Sequence, residues 1–122
     1  MVEVDPSSDN RLTIKEKVND VYIDLAATYA NVVAYLYDST NDLIKKWSRE
    51  AQTGYESLYV VDAYTLEFYI ERGFLTAYKG GKVTIEVKTV ETVASKGLTN
   101  DEEHLLASGK LSVGKSNMGV DA

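Results

Sequence analysis

The apolar residues between positions 14 and 51 constrain the fold more than any other feature of this sequence. Ile14, Val18, Val21, Leu25, Val32 and Leu36 recur at intervals of three, four or seven, and Tyr22 and Tyr29 broaden the same stripe. Asp20, Asp24 and Asn31 lie away from its centre. Apolar residues in phase with a 3.6-residue turn predict an amphipathic helix with one buried face. The phase continues through Leu36, Thr40, Leu43, Trp47 and Ala51, and Gly54 supplies a natural end. Glu16, near the start, suits the positive end of the helix dipole.

Two helical arrangements meet this pattern. The segment "YDSTND" (37–42) is rich in residues that compete with helix-interior hydrogen bonding. A helix over 12–52 therefore either breaks at 38–41 and folds back, or runs straight and packs against other copies. A straight helix of that span would be about 60 Å long at about 1.5 Å per residue. A monomer of this size has a radius of gyration of only about 14 Å. The unbroken phase favours the straight helix, and hence a homo-oligomer with an interface of Val18, Val21, Tyr22, Leu25, Tyr29, Val32, Leu36, Leu43 and Trp47.

Beyond Gly54 the residue types change. "SLYVV" and "YTLEFYIE" are dense in Tyr, Val, Ile, Phe and Thr. Leu66, Phe68 and Ile70 alternate with Thr65, Glu67, Tyr69 and Glu71, the period of a half-buried strand. A helix over 62–78 is the rival, because Ala63, Leu66, Ile70, Phe74 and Ala77 also fit 3.6. Val83, Ile85 and Val87 alternate with Thr84, Glu86 and Lys88, and Gly80-Gly81 reads as the turn of a hairpin leading into a strand over 82–93. "LTNDEEHLLASG" predicts a short C-terminal helix, with Thr99 and Glu102 as a capping box and Gly109 at its end. Residues 1–11 and 110–122 are turn formers and polar residues without period, which predicts a mobile arm and a flexible tail. The predicted fold is therefore α+β: a long N-terminal helix or helical hairpin, a small antiparallel sheet and a short C-terminal helix, forming a single domain over 12–109.

Composition narrows the function. With 122 residues there is room for one domain, and 44% apolar residues are enough to bury a core. There is no cysteine, which excludes disulfides and thiolate chemistry and fits a cytosol-like compartment. The opening "MVEVDPSSDN" lacks the basic and apolar regions of a signal peptide. No apolar run approaches the length of a membrane helix. A net charge of -6 argues against binding nucleic acid, which requires cations to neutralise phosphates.

Several short patterns invite chemistry. "GKLSVGKS" (109–116) matches the phosphate-binding loop G-x-x-x-x-G-K-S. That loop needs a strand before it and a helix after it to aim backbone N–H groups at phosphate; a helix is predicted before Gly109 and six residues follow Ser116, so no nucleotide is expected. "KKWSR" (45–49) sets Lys45, Lys46 and Arg49 around Trp47, but Trp47 is in phase with Leu43, so the basic residues read as a helix C-terminus rather than a nucleic-acid patch. His104 stands beside Glu102 and Glu103. A helical metal site would want a second ligand four residues on, and position 108 is Ser108, so His104 reads as a helix-surface residue and no metal or other cofactor is expected.

The nine tyrosines leave one more route, since a tyrosine near a carboxylate can polarise a carbonyl. The order of helices then strands resembles the NTF2-like group at the level of fold, and that resemblance implies a pocket between helices and a curved sheet. The residues together predict a non-catalytic assembly, adaptor or structural protein in the cytoplasm or in a virion. It would contact itself, and another protein, through the long helix. The alternative is a small-ligand-binding domain or pocket enzyme using a tyrosine and an Asp or Glu.

Overall fold

β-Branched and aromatic residues, not the helical spacing, set the local structure. The computed structural model describes residues 2–91 and 102–114. Its strands are β1 (Val2–Val4), β2 (Asn10–Ile14), β3 (Lys17–Val18), β4 (Val21–Tyr22), β5 (Asn31–Tyr37), β6 (Leu43–Ser48), β7 (Glu56–Ser57), β8 (Tyr59–Asp62), β9 (Thr65–Ile70), β10 (Lys82–Glu91) and β11 (Glu102–Val113). One α-helical turn, α1 (Leu25–Thr28), and a 3-10 turn at Phe74–Tyr78 interrupt them.

The expected helix over 12–52 is absent in both its continuous and its broken form. Asn19 and Asp20 each hold positive φ, at 51° and 63°. A type I′ turn requires this at both central positions, so the chain reverses between Val18 and Val21 and closes the β3–β4 hairpin. Asp24 then caps α1 by accepting a hydrogen bond from the Ala27 N–H at 3.0 Å. "YDSTND" is a turn, as its composition suggests, but between strands. Asp38 Oδ1 accepts hydrogen bonds from the N–H groups of Thr40 (2.9 Å) and Asp42 (3.0 Å), and Asn41 takes φ 65°.

β1, β11, β10, β5, β6 and β7 form one sheet in that order, and β2, β9 and β8 form a second. β1–β11 and β6–β7 are parallel pairs; the other neighbours are antiparallel. The three-stranded sheet faces the six-stranded one. Alternate residues of each sheet meet in between. Val32, Ala34 and Leu36 of β5 and Val83, Ile85 and Val87 of β10 join Leu66, Phe68 and Ile70 of β9 in one core. With no cysteine to link the sheets, Trp47 of β6 spans them. It packs on Phe68 with ring centroids 4.7 Å apart, and its indole N–H donates to the Tyr69 carbonyl at 3.2 Å. β5 is buried on both faces, because Val33 and Tyr35 form a second cluster with Val90 under Tyr37 and Tyr55. That explains its unbroken apolar run.

The alternation over Thr65–Ile70 and from Lys82 onward is realised as strands. The hairpin expected about Gly80-Gly81 is not, because Phe74–Tyr78 coils into a 3-10 turn and β10 pairs with β5 and β11. Gly80, at φ 77°, makes the corner into β10. The expected C-terminal helix is replaced by β11; Glu, Leu and Ala favour helices, but ten residues of register with β10 override that preference. Its proposed cap, Thr99, lies outside the described residues. Residues 2–4, assigned to an arm, pair with β11, and residues 110–113, assigned to a tail, belong to that strand. The phosphate-loop match places Gly109–Val113 in β11, while Lys115 and Ser116 lie outside the described residues. Among the described residues no α-helix is longer than the single turn of α1, so no helical layer packs on the sheet as the NTF2-like resemblance implies, and that resemblance fails with the α+β prediction.

Candidate metal centre

The β10–β11 pair carries a local electrostatic cost. Glu91 of β10 stands directly across from Glu102 of β11. Like charges opposed across antiparallel strands destabilise the pair. Two residues along β11, His104 returns to the face of Glu102, and its Nε2 lies 3.4 Å from Glu102 Oε1. One donor atom each from Glu91, Glu102 and His104 falls within 4.8 Å of the others.

The segment between β2 and β5 closes the other side. Glu16 follows β2, and Tyr29 follows α1; the Tyr29 hydroxyl donates to Glu16 Oε1 at 2.7 Å. With Thr89, Leu105 and Leu106 these groups enclose a cavity of about 420 Å³. Among the described residues, its lining offers three carboxylates and no lysine or arginine. The Tyr29 phenol registers that field. The hydrogen bond to Glu16, partial burial, and the charges of Glu16 and Glu91 push it up to about 12, so it remains a donor at neutral pH.

Arg49 holds Tyr29 in place. Its guanidinium donates to the carbonyls of Leu25 (3.1 Å), Tyr29 (3.1 Å) and Ala30 (2.6 Å), a fork on the open end of α1. Buried Asn31 locks the next residues. Its Oδ1 accepts from the N–H of Glu50 at 3.0 Å, and its Nδ2 donates to Ser48 Oγ at 2.8 Å. The site thus stands on two long strands and a buttressed loop, the support that positioned ligands need.

One imidazole nitrogen and carboxylate oxygens suit borderline divalent cations such as zinc. Zinc bonds of about 2.0–2.2 Å place tetrahedral donors about 3.4 Å apart. Glu91 and His104 are exposed side chains, free to close from the present separation. Three protein donors leave one position open.

The residues predicted as a helical interface do not form one surface. Leu25, Val32, Leu36 and Trp47 are core, while Val18, Val21, Tyr22 and Leu43 are exposed on β3, β4 and β6. Tyr29 alone of the nine lines the cavity. The basic residues of "KKWSR" are engaged in place. Lys45 pairs with Glu56 at 3.5 Å, and Lys46 lies 4.5 Å from the Tyr55 ring centroid. The Glu102-x-His104 spacing was visible in the sequence. Judged by helical spacing it needs a ligand at 108; judged by strand spacing the two side chains share a face. No protein-family model, curated protein or solved structure matches the chain. Among the described residues, no helix is long and apolar enough to cross a membrane.

Proposed function

We propose that this chain is a non-catalytic binding module whose β10–β11 end takes a divalent cation of the zinc class through Glu91, Glu102 and His104. The carrying observation is the convergence of three donor atoms within 4.8 Å. The cation offsets the Glu91–Glu102 repulsion and leaves a coordination position for a ligand carboxylate or phosphate. Binding is favoured over hydrolysis because the remaining carboxylate, Glu16, is occupied by the Tyr29 hydroxyl at 2.7 Å and is not free to act as a base. The contact surface expected from the sequence, a long amphipathic helix over 12–52, is replaced by strands and one helical turn and takes no part. Titration calorimetry with zinc chloride tests the reading. Saturable binding at one site, weakened at least tenfold in both His104→Ala and Glu102→Gln, is the expected result. Absence of binding, or equal affinity in both variants, refutes it.

A further inference from the structure

A second cavity, of about 440 Å³, opens at the side of the sandwich where β6 and β7 face the ends of β8 and β9. Its size lies within the range of small-molecule sites. Its lining is chemically mixed in a specific way. Tyr59 and Tyr69 meet edge to face with ring centroids 6.2 Å apart, and Tyr59 is 53% exposed. The Tyr69 hydroxyl is tied to Glu67 Oε1 at 3.0 Å, which fixes that ring. Glu71 and Arg72 follow β9 on the rim. Asp9 is brought to them by accepting the Arg72 backbone N–H at 2.7 Å. On the facing sheet, Lys45 Nζ pairs with Glu56 Oε1 at 3.5 Å.

We infer that this cleft binds a neutral oligosaccharide. Three carboxylates and two cations share its lining, so neither an anion nor a cation finds a field of one sign. A polyol suits such a rim, because each hydroxyl both donates to a carboxylate and accepts from a guanidinium or ammonium. The exposed tyrosine ring offers an apolar face to the C–H face of a pyranose, while its edge-to-face partner holds it upright. The groups sit on strands and their immediate ends, so they are arranged before the ligand arrives, which lowers the ordering cost of binding. This site shares no residue with the β10–β11 cavity, and the inference is independent of the metal reading.

The test uses the whole chain without added metal. Cellotriose and maltotriose serve as neutral probes, a trigalacturonate as an anionic control and free glycine as a zwitterionic one, followed by chemical-shift perturbation up to about 10 mM, beyond the weak end of measurable affinity. Saturable shifts with a neutral trisaccharide are expected, weakened about tenfold in Tyr59→Ala and in Arg72→Gln and retained in Tyr59→Phe. Tyr59 and Arg72 are exposed, so both replacements leave the core untouched, and an unchanged melting curve verifies this. No saturation with either neutral sugar, tighter binding of either charged control, or wild-type affinity in both weakened variants overturns the inference.

Discussion

Trp47→Phe separates a sandwich from a helical assembly in one variant. Trp47 is 1% exposed, so its indole is fully lost from water between the sheets. Replacing indole by phenyl removes roughly 40 Å² of buried apolar area, about 1 kcal/mol at about 25 cal/mol per Å². The hydrogen bond from the indole N–H to the Tyr69 carbonyl goes with it, at about 1 kcal/mol net. Phe68 of β9, 4.7 Å away centroid to centroid, cannot fill the gap without leaving its own place in the core, so a small cavity adds to the loss. The sum is about 2–3 kcal/mol, or a fall in Tm of about 8–12 °C for a domain of this size.

Calorimetry or circular dichroism measures that fall, and fluorescence supplies an independent check. Trp47 is the sole tryptophan, so native emission comes from this site alone. It is expected to be blue-shifted against the unfolded chain and unchanged on dilution. A Tm within about 2 °C of wild type, or emission that shifts to the red as protein concentration falls, would show that Trp47 faces a partner or solvent and that the intersheet packing is wrong.

Three further outcomes follow from particular contacts. Thr40→Pro removes an N–H that Asp38 accepts at 2.9 Å in a turn, so denaturant titration is expected to show a loss of about 1 kcal/mol, not the 3 kcal/mol or more, roughly, of a proline inside a helix. Arg49→Lys gives up a fork on three carbonyls; a loss of about 1–2 kcal/mol is expected, with zinc affinity reduced because the Tyr29 loop loosens. Between about pH 10 and 12 stability is expected to fall: Tyr29 is raised to about 12, and Tyr35 is raised by burial and by hydrogen bonds with Tyr55 and Glu103. Folded tyrosines that hold their protons longer than unfolded ones, near 10, stabilise fully below that value and lose the contribution above it. Tyr35→Phe flattens the alkaline limb of a Tm-versus-pH series, and a limb as steep as wild type counts against the buried phenol.

How much of this was legible turns on intervals that two periods share. Val32 and Leu36 are four apart, which places them on one face of a helix and equally on one face of a strand. The residue between them, Ala34, points to the same core in β5 and was neutral evidence for either. Thr65–Ile70 and Lys82–Glu91 alternate polar with apolar because each has one face outside the core, and there the strands were plain. β5 hid because a second cluster buries its other face, removing the polar half of the alternation. Asn19-Asp20 was a turn signal flanked by valines, outweighed by a stripe that ran across it.

The same shared intervals governed the sites. Within β11, Glu102 and His104 are two apart, a spacing that separates side chains on a helix by more than half a turn and aligns them on a strand. Glu91 then arrives from the neighbouring strand, and no local pattern in the sequence could pair positions 91 and 102 without the register. Tyr29 and Glu16 join only because the Asn19-Asp20 turn reverses the chain between them, so the Tyr29 hydroxyl meets a carboxylate thirteen residues earlier. Cavity and turn therefore stand or fall together. A substitution that forces extended backbone at the turn, such as Asn19→Val with Asp20→Val, places β-branched residues at positive φ. It is expected to break the Tyr29–Glu16 bond and lower the Tyr29 phenol towards 10 without touching Glu91, Glu102 or His104. Tyrosine ionisation followed by ultraviolet difference spectra reads this directly, and an unchanged titration would show that the loop end does not depend on that turn.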